Sequence, residues 1–502
     1  MEFLSMLWTL SSFWNASLIG LAFFLFALVL DLIKNRRRKA GYPPGPVPLP
    51  FVGNLFSLNA NNFHECLLKL KKQYGNIFSL QMFSENIIVL NGYDAIKEAL
   101  VTKSEGTSDR PPTPIFDYLG FNNGIAFSNY NKHWKERRRF TLSTLRDFGM
   151  GKKSIEERVR EEAGYLCAAF QEKRGREFDP FHLLNNAVSN IICSIIFGDR
   201  FEYDSKTFQK LIGLLRDMFE MESGIMPMLY KVFPWLLKTP GPHQKLFTVQ
   251  RKYIACLGEI IKEHKETWDP NIRRDFIDAF YEEMEKNKDD PQSSFDEKSL
   301  VCVISDLFIG GTETTSNTLR WALLMMLLHP LIQRRVHKEI DQVIGSDRIP
   351  SVEDQLKMPY TNAVVHETQR YGNILPMSLF HMTNNDLKIQ GYDIPKGTTI
   401  IPNLMSVLKD ETVWEKPYQF YPEHFLDAEG RFLKSESFIP FSAGRRICLG
   451  EMLARMELFL FFTSLLQKFE FHIPPKQPPP REDPIFSFNL SPWPFQICAQ
   501  LR

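Results

Sequence analysis

One cysteine near the C-terminal end of the chain stands in a setting unlike that of the other six. The segment Phe441-Ser-Ala-Gly444-Arg445-Arg446-Ile-Cys448-Leu-Gly450 sets Cys448 between glycines and beside two arginines, directly ahead of the apolar run that begins at Glu451. Positive side chains and the free backbone N–H groups at the start of a helix both favour a thiolate. Such a sulfur can be a nucleophile, a metal ligand or inert packing. No histidine accompanies it in sequence, which weakens the nucleophile reading. Cys66, Cys167, Cys193, Cys256, Cys302 and Cys498 lie in apolar helical or strand contexts and read as core.

A second chemical segment is Gly310-Gly311-Thr312-Glu313-Thr314-Thr315. It falls in the middle of a long helical pattern running from the capping-box signature Ser294-Phe-Asp-Glu297 to Pro330, a helix of roughly 50 Å. Each glycine costs about 1 kcal/mol relative to alanine there, and threonine is a poor helix former. A helix serving only as a strut has no use for this cluster. Glycines let another body approach the backbone, and Thr314 and Glu313 carry groups that handle protons. The competing reading is a bend in which the hydroxyls bond back to the preceding turn.

The elements that must position these groups are mainly helical. Apolar spacing predicts helices over 63–74, 154–173, 180–197, 205–222, 243–267, 294–329 and 330–344. Short strands are expected at 77–82, 87–90, 387–392, 398–402, 486–489 and 495–499. With 502 residues the body is large enough to bury a core without disulfides, and no internal repeat or second linker divides it. Lys+Arg number 60 against 59 Asp+Glu, which excludes a nucleic-acid binder driven by bulk charge. The seven cysteines include no CxxC pair, so a zinc ribbon or disulfide framework is not expected.

The N-terminus reads as a membrane anchor. Residues 16–33 (ASLIGLAFFLFALVLDLI) carry Asp31 as their only charge and would form a helix about 27 Å long. Lys34, Arg36, Arg37, Arg38 and Lys39 follow, which places the bulk of the chain on the cytosolic side. The expected division is a short lumenal segment at 1–15, the anchor at 16–33, a basic stop and proline-rich hinge at 34–50, and a single cytosolic domain at 51–502. The apolar stretch Ile225–Leu237 reads as a second membrane contact.

The Phe441–Gly450 pattern resembles the haem-binding loop of the cytochrome P-450 superfamily. The Gly310–Thr315 segment resembles that family's oxygen-binding groove, and Glu367-Thr-Gln-Arg370 and Trp134-Lys-Glu-Arg-Arg138 match two further motifs in the family's order. The resemblance implies a mainly α fold with small peripheral β-sheets, haem b as cofactor, and Cys448 as the axial iron ligand. Phe441 would pack on the porphyrin side of the loop. Arg446, Trp134, Arg138 and His381, with Arg110, would meet the haem propionates. Thr314 would act with Glu313 in delivering protons during oxygen activation. Glu367 and Arg370 would form a structural pair, with His424 as third partner where the superfamily often has arginine. Gly310 replaces a commoner alanine, and Phe380 a commoner proline.

The anchor and hinge resemble the microsomal enzymes of vertebrate family two, in the endoplasmic reticulum membrane. The segments 185–203, 232–247 and 274–280 look most like the J-type subfamily, which implies polyunsaturated fatty acids such as arachidonate as substrates. By the same resemblance Ile115, Phe116, Ile125, Phe127, Asp306, Ile309, Gly310, Ile374, Leu375 and Phe488 would line the substrate pocket. No flavin or dinucleotide fingerprint is evident, so electrons derived from NADPH would come from a diflavin reductase, with cytochrome b5 as a second donor. Lys135, Arg137, Arg139, Lys152, Lys153 and Arg445 would form its docking patch. The leading expectation is an NADPH- and O2-dependent monooxygenase. The alternatives are a reductase-independent lipid-peroxide isomerase and a non-catalytic haem- or lipid-binding membrane protein.

Overall fold

The computed structural model describes Leu18, Leu25, Phe26, Val29 and residues 41–502 apart from 60–61, 151–152, 222–229, 242 and 487–488. The expected lumenal segment, most of the anchor, and the basic stop therefore lie outside the described residues. Among the described residues no helix is long and apolar enough to cross a membrane.

Eleven helices of ten or more residues are present among the described residues: α1 Phe63–Tyr74, α2 Lys132–Asp147, α3 Lys153–Gln171, α4 Phe181–Ile196, α5 Lys206–Met221, α6 His243–Glu266, α7 Phe276–Lys286, α8 Glu297–Leu328, α9 Pro330–Val343, α10 Pro359–Gly372 and α11 Glu451–Lys468. The capping box of α8 sits two residues later than the sequence signature suggests. Asp296 accepts from Ser299 N at 2.7 Å, and Ser299 Oγ accepts from Asp296 N at 2.9 Å. A cap of this kind is worth about 1 kcal/mol. Beyond the Gly/Thr cluster α8 is buried without interruption from Thr315 to Leu327, so its second half is the central strut of the core. It packs along α4 and also meets α10 and α11.

A four-stranded sheet has the order β1 (Ile77–Met82), β2 (Glu85–Leu90), β6 (Thr399–Pro402), β3 (His381–Met382). β1 and β2 are antiparallel with Ile77 opposite Leu90, and β2 runs parallel to β6 with Ile87 opposite Thr399. The stretch 387–392, expected as one strand, is a hairpin of β4 (Leu387–Ile389) and β5 (Tyr392–Ile394). Gln390 and Gly391, both with positive φ, form its turn. The late strands are β7 (Phe469–His472) paired with β10 (Cys498–Leu501), and β8 (Pro484–Phe486) paired with β9 (Leu490–Pro492). The proline-rich stretch is strapped to the body: Pro43 and Pro48 are buried, and Ser79 N and Oγ donate to Pro44 O and Pro43 O at 2.7 and 2.9 Å.

Candidate active site

The loop carrying Cys448 is folded tightly enough to dictate its glycine. Gly444 has φ 77°, and a Cβ there would lie 1.7 Å from Leu100 O. Cys448 N donates to Phe441 O at 3.0 Å and Ile447 N to Gly444 O at 3.1 Å, closing the loop on itself. Cys448 precedes Gly450, the N-cap of α11, rather than sitting in the helix's first turn. The backbone N–H of Gly450 points at its sulfur. The expectation of a depressed thiol is corrected. Burial pushes the Cys448 thiol up, and the Gly450 N–H with the Arg138 and Arg455 charges only partly offsets it. The adjacent arginines act elsewhere: Arg445 pairs with Glu105 at 3.1 Å, and Arg446 donates to Ser108 O at 2.7 Å and Ile125 O at 3.1 Å.

Cys448 is nonetheless exposed, and what it is exposed to is a cavity within the body of the protein. Phe441, Ser442 and Leu449 line it on the loop side, and Gly310, Gly311 and Thr314 on the α8 side. The two glycines play different parts. A Cβ on Gly311 would come within 2.4 Å of Ile192 Cδ1 in α4, whereas one on Gly310 would meet nothing within 4 Å. The first keeps the helices close and the second leaves open room. Thr314 Oγ1 donates to Gly310 O at 2.8 Å, the back-bond of the competing reading, while the residue still faces the cavity. Glu313 is not on this wall. It is hydrogen-bonded to Asn489, and burial raises its carboxyl to about 7.

Three arginines reach the cavity: Arg110, Arg138 and Arg446. Arg110 Nε donates to Ala126 O at 2.8 Å and its Nη1 to Phe380 O at 2.7 Å; Arg138 Nη2 donates to Ile447 O at 2.6 Å. Burial lowers all three guanidinium groups, Arg446 to about 9, and the neighbouring arginines lower Arg110 and Arg446 further. The other two expected propionate partners are placed differently. Trp134 Nε1 donates to Ile125 O at 2.9 Å and His381 Nδ1 lies 2.9 Å from Thr107 O; neither is on the cavity wall.

Of the expected pocket residues, Ile125, Asp306, Gly310, Ile374 and Leu375 line the cavity. Ile115, Phe116, Phe127 and Ile309 do not. Ile115 is buried with Tyr230 and Phe247, the Phe116 and Phe127 rings meet at a tilt with centroids 4.3 Å apart, and Ile309 packs on the main core. Phe488 lies outside the described residues. Asp306 accepts from Ala126 N at 2.9 Å and also from Ile125 N, so it fixes the loop ahead of α2. Its burial raises the carboxyl to about 6 against those donors.

Four wall residues escaped the sequence reading: Gln369, Asn373, Ser442 and Glu457 each present a buried polar atom without a partner among the described residues. Glu457 had a visible signal, as an acid set directly ahead of the uncharged run Leu458–Leu466. Gln369 lies in the last turn of α10, and Asn373 caps its end in the left-handed conformation (φ 38°), donating its backbone N–H to Gln369 O.

The Glu367 group is complete. Arg370 Nε and Nη2 donate to the two carboxylate oxygens of Glu367 at 2.7 Å each, and His424 Nδ1 stands 3.2 Å from Oε2. Arg370 also donates to Leu408 O, Pro417 O and Gln419 O. On the opposite surface of the Cys448 loop, exposed Lys135, Arg139, Arg146 and Arg445 rim a shallow depression. Arg137 is buried against Ser294 O and does not join it, Lys153 faces Glu353, and Lys152 lies outside the described residues.

These observations fit haem. The cavity offers one thiol, an open glycine opposite, and three arginines, two buried and one half-buried, that no carboxylate among the described residues pairs with directly, so they call for a ligand with its own carboxylates. The Cytochrome P-450 family model matches residues 43–499. The chain is 51% identical to cytochrome P-450 2D20 of Mesocricetus auratus over 483 residues, 95% of this chain and 97% of that relative. It is 52% identical to cytochrome P-450 2D26 of Mus musculus over the same shares, and 51% identical to cytochrome P-450 2D15 of Canis lupus familiaris over 489 residues, 96% and 98%. The J-type resemblance is corrected: these relatives carry the 2D designation, and the fatty-acid substrate that rested on it is not supported. The enzyme is a haem-thiolate monooxygenase using O2 and reductase-derived electrons. The chain belongs to the cytochrome P-450 family.

Proposed function

We propose that this protein inserts one oxygen atom from O2 into lipophilic molecules, xenobiotics among them, at the endoplasmic reticulum membrane with electrons from an NADPH-dependent diflavin reductase. The observation that carries the reading is the juxtaposition of the Cys448 sulfur, three arginines without ion-pair partners among the described residues, and the Gly310–Thr314 groove on one cavity. Bound there, haem iron supplies the redox centre for dioxygen activation.

Cys448 would hold the iron, and Arg110, Arg138 and Arg446 would neutralise the haem carboxylates. Phe441 is braced from behind by the Arg455 guanidinium, 4.9 Å from its ring, which is itself held by Glu451 and by His366 Nε2 at 3.1 Å. Ile125, Leu145, Ile192 and Ile374 give the wall an apolar surface that suits a lipophilic substrate and excludes bulk water. The Thr314 proton engages Gly310 O, which leaves the hydroxyl oxygen free to accept a hydrogen bond from water. The exposed basic rim suits an acidic docking face on the reductase. Phe233 and Trp235, 41% and 62% exposed, support contact with the bilayer.

Purified protein, reduced and exposed to carbon monoxide, is expected to give the red-shifted Soret band of a thiolate ligand. With reductase and NADPH it should convert members of a lipophilic panel to products heavier by one oxygen. A colourless or globin-like preparation refutes the reading. Lys135→Glu should slow reductase-driven turnover and spare peroxide-driven turnover; equal loss in both assays removes the docking role.

A further inference from the structure

Glu451 and Arg455 stand about one turn apart at the start of α11, just beyond the Cys448 loop, and neither lines the cavity. Beside the dominant effect of burial, Glu451 pushes the Cys448 thiol up, while Arg455, with Arg138, draws it down. How far the acid is cancelled at the sulfur therefore depends on where the Arg455 guanidinium is held. An i,i+4 pair near a surface is weak and does not fix a long side chain by itself. Here Arg455 Nε and Nη2 both donate to Glu451 Oε1, at 2.9 and 2.8 Å. Its guanidinium carbon lies 4.9 Å from the centre of the Phe441 ring, and its Nη1 reaches His366 Nε2 at 3.1 Å.

His366 is shaped for that contact. It is buried on α10 among the rings of Phe425, Phe432 and Phe438. Its Nδ1 stands 2.8 Å from Asn362 O, and a carbonyl only accepts, so Nδ1 carries the proton and Nε2 turns a lone pair to Arg455. Burial lowers this imidazole to about 3, so the ring is neutral and does not repel the guanidinium.

We propose that His366 is a positioning residue that pins Arg455 against Glu451, so that the acid's field at the Cys448 sulfur is cancelled and the haem-loaded protein is easier to reduce. The inference rests on the haem-thiolate reading above. The first electron comes from the reductase and adds one negative charge beside the sulfur, with no bond made or broken in these side chains. A cation fixed nearby favours that added charge, and an uncovered carboxylate opposes it. His366 touches neither haem nor substrate and acts through Arg455.

The test is a redox titration of substrate-free, haem-loaded protein. Arg455→Met should lower the equilibrium constant for one-electron reduction roughly tenfold, about 59 mV. His366→Phe keeps a ring in the aromatic pocket but removes the acceptor, and should lower the constant roughly threefold. His366→Gln returns an acceptor and should recover most of that loss, while Glu451→Gln should raise the constant above the wild type. In the Arg455→Met background His366→Phe should add nothing. An unmoved potential in His366→Phe overturns the proposal, and so does an equal shift in both backgrounds, which a merely structural role would give. If His366→Phe fails to load haem, the opposite shifts expected of Arg455→Met and Glu451→Gln decide the matter, and shifts of the same sign overturn it. A wild type without the thiolate carbon monoxide band would instead refute the haem-thiolate reading.

Discussion

Glu367 and Glu457 are both almost wholly buried glutamates on core helices, yet their surroundings are opposite. Glu367 is met by two guanidinium N–H groups, the Tyr421 backbone N–H at 2.8 Å and the His424 ring. Among the described residues Glu457 has one hydroxyl partner and a second oxygen without a hydrogen bond on the cavity wall. Burial alone therefore does not separate scaffold from site. A satisfied acid fixes two pieces of backbone, and an unsatisfied one marks a place that waits for solvent or ligand.

The largest effect should come from breaking the satisfied side. Glu367→Ala leaves Arg370 buried without its counter-charge and should cost about 3–5 kcal/mol, read as lost thermal stability and little haem-loaded protein. A variant that melts like the wild type would erase the contrast. The two regions also hold a closed and an open glycine. Gly444→Ala meets backbone and a positive φ, so it should cost about 2 kcal/mol or more and lower haem content. Gly310→Ala should fold at least as well and alter product ratios, because the added methyl enters open cavity. Thr314→Ala should leave stability within about 1 kcal/mol while uncoupling NADPH oxidation from product and releasing peroxide, seen by parallel NADPH, peroxide and product assays.

The smallest and most diagnostic effect is a pH slope. With its folded value raised to about 7, Glu313 binds a proton in the folded chain that the unfolded chain gives up from about pH 4.5. Stability from this group is therefore lost as pH rises between those values. Glu313→Gln should flatten that slope and gain on the wild type above pH 7 in chemical denaturation; parallel slopes would show that Glu313 is solvated.

Much of this was legible in the chain. The long helices follow from apolar spacing and from breakers such as Pro330, and Cys448 stood out through its glycines and arginines. What sequence could not show depends on distant backbone. Trp134 Nε1 donates to Ile125 O and His381 Nδ1 is held at Thr107 O, 274 residues away in sequence, contacts that no local pattern announces. The 387–394 hairpin was hidden because its turn is only two residues long. Arg137 looks like its exposed neighbours in sequence, and only helix phase turns it inward to Ser294 O.

The parallel seam between β2 and β6 has a consequence for how the chain is made. Asn91, at the end of β2, bonds Asn403 across 312 residues of sequence. At ribosomal speeds of about 5–20 residues per second, the early hairpin waits roughly 15–60 seconds for its neighbour to be synthesised. During that interval an apolar strand edge stands bare, and newborn chains are most exposed to mispairing with one another.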